Sequence, residues 1–321
     1  SRGAGPQHRL HALRVLTLWL TFDLILFGAF TRLTDSGLGC PDWPGCYGST
    51  SPVGAGHAIA LAQNAMPTGP VTQAKAWIEM LHRYLATSVG ALIVLMTLAA
   101  WRAKLATASA VPPLSPWWPT VTLVWVCLQG AFGAWTVTWK LFPAIVTLHL
   151  AGALVLLALL CVQVVRANPN WLPRALPIPL RRSVVLVAGL LSVQILLGGW
   201  VSTNYAVLAC SDFPQCQNRW WPDMNFAQGF ELWRHLGMTA AGEPIGFEAL
   251  TAIHYVHRLM AFPVLVVLGL LAWQLNRRST WRQSSRVLAA LVGLQLATGL
   301  SNVVLGWPML AALLHTGGAA A

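Results

Sequence analysis

Residues 143–165 read PAIVTLHLAGALVLLALLCVQVV, a run without a single Asp, Glu, Lys or Arg. At 1.5 Å rise per residue a helix over it is about 35 Å long, enough to cross the ~30 Å hydrocarbon core of a bilayer. One ionisable side chain, His149, lies inside it.

Seven further apolar runs flank this one, at roughly 11–33, 75–100, 117–138, 183–203, 248–274, 285–305 and 308–321. Across the 321 residues, 56% are hydrophobic and only 9% charged, with 17 tryptophans and a mean hydropathy of +0.61. A soluble chain carries roughly 25% charged residues. The reading is an all-α integral membrane protein of eight transmembrane helices. The first run continues into the chain without a small-residue cleavage site, so no cleavable leader is expected.

The net charge of +11 raises nucleic acid as a partner. The basic residues argue against it, because they fall in short clusters between the runs and form no stripe or motif. Arg2, Arg9 and Arg14 precede run one; Arg102 and Lys104 follow run two. Arg166, Arg174, Arg181 and Arg182 follow run four, and Arg277, Arg278, Arg282 and Arg286 follow run six. In an eight-pass chain these share one side, which is therefore cytoplasmic, with both termini. The long loops 34–74 and 204–247 then face outward.

Those loops carry the pairs Cys40/Cys46 and Cys210/Cys216. An outward face is oxidising, which predicts two local disulfides. The competing reading is a metal site, although the spacing is not the usual zinc pattern. Cys127 and Cys161 lie within spans and are expected to be small buried apolar residues.

The chain repeats itself. Phe27-Gly28-Ala29-Phe30-Thr31 leads to the first cysteine pair and Leu197-Gly198-Gly199-Trp200-Val201 to the second. His82-Arg83 matches His257-Arg258; Gln129, Gly133, Pro143 and His149 match Gln295, Gly299, Pro308 and His315. Matching loops and spans in the same order predict two pseudo-symmetric four-helix bundles, in parallel orientation about the membrane normal.

His82, His149, His257 and His315 recur on the even-numbered spans, each some six to nine residues from the outer end, or roughly 9–14 Å deep. A lone histidine there reads as an interhelical hydrogen bond. Four at one depth, in a duplicated pattern, read as ligands. Haem fits better than zinc, since no cysteine lies at that depth on those spans. Arg83 and Arg258 are placed to pair with haem propionates, or to act as interfacial anchors. One position breaks the symmetry: Glu79 precedes His82 by three residues, where His254 precedes His257. Glu79 is either functional or paired with Arg83 or Lys75. Asp23, in run one, reads as a polar contact between helices.

The stretch Gly28-Ala29-Phe30-Thr31-Arg32-Leu33-Thr34-Asp35-Ser36-Gly37-Leu38, the cysteine pairs, Glu79-Met80-Leu81-His82-Arg83, His149, His257-Arg258 and His315 resemble the haem A synthase family, of the bacterial type with a cysteine pair in each of two outer loops. The resemblance covers nearly the whole chain. It implies oxidation of the C8 methyl of haem O to a formyl group, making haem A for terminal oxidases. It implies a substrate half, residues 1–170, where haem O meets His82, His149 and Arg83, with Glu79 as the catalytic carboxylate. It implies a cofactor half, residues 171–321, where His257 and His315 ligate the iron of haem b and Arg258 is a candidate propionate contact. The choice of His257 over His254 rests on the repeat alignment. The expected setting is the bacterial inner membrane, with a haem O synthase and terminal oxidase assembly factors as neighbours. The competing functions are a dihaem b-type electron-transfer protein without turnover, which would have no use for Glu79, and a haem transporter.

Overall fold

The computed structural model describes residues 6–106, 114–168 and 175–321; Arg2 and Arg174 of the basic clusters lie outside them. Among the described residues regular structure is helical, with three isolated β-bridges in the loops. Seven helices are long and apolar enough to cross a membrane. They are α1 (Pro6–Leu33), α3 (Gln73–Ala106), α4 (Trp117–Thr138), α5 (Pro143–Arg166), α6 (Ile178–Thr203), α8 (Phe247–Asn276) and α9 (Arg282–Val304). The eighth apolar helix, α10 (Met309–Ala320), has 12 residues. The loops hold two shorter ones, α2 (Gly56–Ala65) and α7 (Phe226–Gly229).

The helices outrun the apolar runs at the basic ends. α3 continues through Arg102 and Lys104, and α6 starts ahead of Arg181 and Arg182. A helix stops where its hydrogen-bond ladder stops, not where its apolarity does, and long basic side chains reach outward along it. Tryptophans collect with them: Lys104 lies over Trp101, Arg166 over Trp118 and Arg277 over Trp273. Indole rings and basic heads of this kind mark bilayer interfaces.

The described residues form two compact units, one of α1–α4 with most of α5, the other of α6–α10 with the first turn of α5. Each has its own core. In the first, Val89, Ile93 and Met96 of α3 meet Leu156 and Leu160 of α5. In the second, Leu180 and Val187 of α6 meet Val264, Leu268, Leu271 and Leu275 of α8. Contacts follow the same order in both, with α3 against α1 and α4, and α8 against α6 and α9. Between α4 and α5, Gln163 donates to Thr122 Oγ1 at 2.7 Å and the Trp125 indole to the Gly152 carbonyl at 2.8 Å. In lipid, polar bonds and small residues do the work that apolar burial does in water.

Large apolar side chains point outward on the spans, Leu310 being 70% exposed and Val185 66%. The same inversion corrects two expectations. Cys127 and Cys161 are exposed, not buried. An apolar thiol on a membrane helix gains nothing from the interior when lipid is equally apolar. Asp23 is also exposed, where the expectation had it in a polar contact between helices.

Candidate functional site

Each loop that follows α1 or α6 is closed by a disulfide, Cys40–Cys46 in the first unit and Cys210–Cys216 in the second. The two loops share their hydrogen bonds residue for residue. The Asp42 carboxylate accepts from the N–H of Tyr47 at 2.6 Å and of Gly48 at 2.8 Å; Asp212 accepts from Gln217 at 2.7 Å and Asn218 at 2.9 Å. All four donors sit at positive φ, a turn that aims successive N–H groups at one anion.

Arg83 and Arg258 turn into these loops. Arg83 donates to the carbonyls of Asp42 at 2.8 Å, Pro44 at 3.2 Å and Cys40 at 3.5 Å, and to that of Gly45. Arg258 donates to those of Asp212 at 2.9 Å, Gln215 at 2.7 Å and Cys210 at 3.2 Å. The sequence reading placed both residues but missed this clamp. A guanidinium forks several donors from one rigid plane, which suits it to a ring of loop carbonyls.

Asp212 lies outside the spans, and its carboxyl is held below the usual range. Partial burial opposes this; the N–H groups of Asn218, Gln217 and Asp212 itself, with Arg258, outweigh it. A carboxyl of depressed pKa stabilises when ionised. Its contribution is full above about pH 4 and drains as pH falls through the lowered value. Hydrogen exchange at the Gln217 and Asn218 amides, corrected for intrinsic rate, is therefore expected to quicken below that pH. Asp212→Asn should abolish the dependence; unchanged protection down to pH 2 would count against it.

Glu79 is 4% exposed and joins the first helix pair to its loop. Its Oε2 accepts from the Cys40 N–H at 2.7 Å, and its Oε1 pairs with Arg83. Of the two readings the sequence offered, pairing with Arg83 is made. In the second unit His254 occupies this register, and its Nδ1 meets the Ala206 carbonyl at 2.9 Å.

The four repeated histidines share one local arrangement. A Cβ built on Gly28 would sit 3.0 Å from the His82 ring, and one on Gly133 would sit 3.3 Å from His149. Gly198 stands 3.0 Å from His257 in the same sense, and Gly299 3.2 Å from His315. Each imidazole thus lies against a bare helix backbone, and only glycine lets the helices close on it. The histidines of each unit fall within electrostatic reach of each other, His82 with His149 and His257 with His315. Glutamines fix three of the four histidine backbones. Gln129 donates to the His149 carbonyl at 2.6 Å, Gln295 to that of His315 at 2.9 Å and Gln194 to that of His257 at 3.1 Å. Gln129 and Gln295 were visible as repeat matches; their task was not.

Two half-buried imidazoles per unit, rather than a compact cluster of acidic and sulfur ligands, suit a group that takes one ligand on each face. Among the described residues no group of three or more His, Cys, Asp or Glu gathers as a bare metal ion would need. Fold and site together define a polytopic helical membrane protein with a histidine pair in each half and disulfide-closed loops.

The chain belongs to the COX15-CtaA family of cytochrome oxidase assembly proteins, whose family model matches residues 11–321. It is similar to the haem A synthase of Shewanella oneidensis, with 37% identity over 95% of this chain and 91% of that protein. It is also similar to the haem A synthases of Allorhizobium ampelinum, at 30% identity over 98% and 90% of the two chains, and Halalkalibacterium halodurans, at 25% over 91% and 86%.

Proposed function

We propose that this protein is a haem A synthase, an oxidoreductase that converts the C8 methyl of haem O to a formyl group. The observation that carries the reading is a duplicated site in which one copy places Glu79 where the other places His254, within a family of matching relatives. Duplication alone suits two equivalent haems. A carboxylate in one copy only suits one haem that is worked on and one that serves.

In this reading residues 1–170 form the substrate half and 171–321 the cofactor half. His82 and His149 receive haem O; His257 and His315 hold haem b. Bound haem b supplies a one-electron redox centre. The protein's own part is positioning and proton handling. Converting a methyl to a formyl group takes one oxygen atom from water and gives up four protons, and four electrons to an external acceptor; Glu79 is the proton acceptor offered at Oε1 or Oε2. The Cys40 N–H and the Arg83 guanidinium orient that carboxylate, and the disulfide keeps the Cys40 backbone where Glu79 needs it. The membrane is the bacterial inner membrane, with the termini cytoplasmic and the disulfide loops outside. A haem O synthase and terminal oxidase assembly factors are the expected neighbours.

Pigment extracted from the purified protein tests the reading. Haem b together with haem O or haem A is expected. Two equivalents of haem b alone would make it a dihaem electron-transfer protein, and no pigment at all would leave a transporter.

A further inference from the structure

The two halves also differ at the far side of one ligand ring. In the second unit the Thr298 hydroxyl lies 3.0 Å from His315 Nδ1 and 2.7 Å from the Leu294 carbonyl. A hydroxyl has one hydrogen, and a carbonyl can only accept. The hydrogen therefore points at Leu294, and Thr298 Oγ1 accepts from His315 Nδ1–H. That fixes the tautomer: Nε2 of His315 is bare, the form in which imidazole ligates iron.

The first unit lacks this device. The repeat aligns Gln129-Gly130-Ala131-Phe132-Gly133 with Gln295-Leu296-Ala297-Thr298-Gly299, so Phe132 stands where Thr298 does. His149 Nδ1 is buried and has no hydrogen-bond partner among the described residues. Around these two rings the glycine behind the ring and the glutamine on the carbonyl match. The Nδ1 partner is what differs.

We propose that Thr298 is a positioning residue that makes His315 a strong, fixed iron ligand, and that Phe132 leaves His149 a weak one suited to a haem that must leave. The inference rests on the reading above, in which the second half keeps its haem and the first exchanges it. Iron-ligating histidines ordinarily donate their other N–H, which orients the ring and raises its basicity; losing that partner costs roughly 10- to 100-fold in affinity. A more basic imidazole favours ferric iron over ferrous. The unpartnered Nδ1 of His149 carries a cost of its own, since a buried polar group without a bond is unfavourable. Its retention in one half only is what a site built for release requires.

The test uses the purified full-length protein with its haem. Thr298→Val keeps the side-chain shape and removes the acceptor; Thr298→Ser keeps the acceptor. Thr298→Val is expected to lose haem b about 10-fold more readily on dilution. If ferric affinity falls tenfold more than ferrous, its midpoint potential rises by about 59 mV. Its low-spin ferric resonance should shift with it. Thr298→Ser should restore all three readouts. Phe132→Thr should raise the share of haem O or haem A that stays with the protein through purification. Wild-type retention and potential in Thr298→Val, or no rescue by serine, would overturn the role of Thr298. No added retention in Phe132→Thr would overturn the role of Phe132. A His315→Ala protein serves as the control. If it keeps wild-type haem b, the ligand assignment falls and takes the inference with it. If it loses haem b while Thr298→Val is unaffected, the inference alone falls.

Discussion

Glu79→Gln is expected to leave the protein folded, with both disulfides and its haem b spectrum intact, while cellular haem A falls about 100-fold. The magnitude is that of losing a positioned acid–base group. The fold should survive because of what the structure places around the carboxylate. Glutamine keeps an oxygen to accept from the Cys40 N–H. Arg83 loses its ion pair but keeps the carbonyls of Asp42, Pro44, Gly45 and Cys40. A buried cation left bare would cost several kcal/mol; this one is not bare. Haem O, or a partly oxidised hydroxymethyl form, should accumulate. Pigment extracted from cells carrying the variant decides it. Near-normal haem A would make Glu79 a structural residue that holds the disulfide loop. A lost disulfide in the unreduced mass map would trace the defect to the loop instead of the chemistry.

The cost of an intramembrane carboxylate does not by itself argue for catalysis here. Such a group is expensive unless it is paired or performs chemistry, and Glu79 is paired. The weight rests on asymmetry. The second unit builds the same arginine clamp and the same disulfide loop without any carboxylate at this register. Loop closure therefore does not require Glu79.

The spans were legible because a bilayer leaves the chain few options. An uncharged run of sufficient length must be a helix, and Trp117–Thr138 falls on the expected residues at both ends. The disulfides were legible from placement alone. What escaped were features that need two distant segments at once. Helix α2 is short, and nothing in GHAIALAQNA announces that Ile59 packs over Cys40, Cys46 and Met80. Arg83 and Arg258 sit beside histidines, so they suggest haem propionates; that their donors reach carbonyls some forty residues back is a tertiary fact. Thr298 reads as an ordinary helical residue until the hydrogen on its hydroxyl is accounted for. The expected burial of Cys127 and Cys161, which are exposed, followed from applying a soluble protein's inside-out rule to a chain dissolved in lipid.

The second large effect separates His257 from His254. His257→Ala and His315→Ala are each expected to lose haem b by more than tenfold, whereas His254→Ala keeps it. The rival has a case. His254 Nδ1 faces the Ala206 carbonyl at 2.9 Å, which can only accept, so His254 presents a bare Nε2, whereas the Nδ1 of His257 faces the Gln194 amide nitrogen at 3.1 Å. Two observations favour His257. Gly198 backs its ring as Gly28, Gly133 and Gly299 back the other three, which puts it in the repeated position. It also lies within electrostatic reach of His315 on α10, as His82 does of His149. His254 instead occupies the register of Glu79, one turn closer to the loop, where its bond to Ala206 ties the loop to α8. Removing it should loosen that loop and leave the iron ligated. Haem content and the ferric low-spin spectrum of the three alanine variants give the answer. If His254→Ala empties the site and His257→Ala does not, the two halves align one helical turn away from the register used here: His82 then matches His254, and Glu79 matches Thr251.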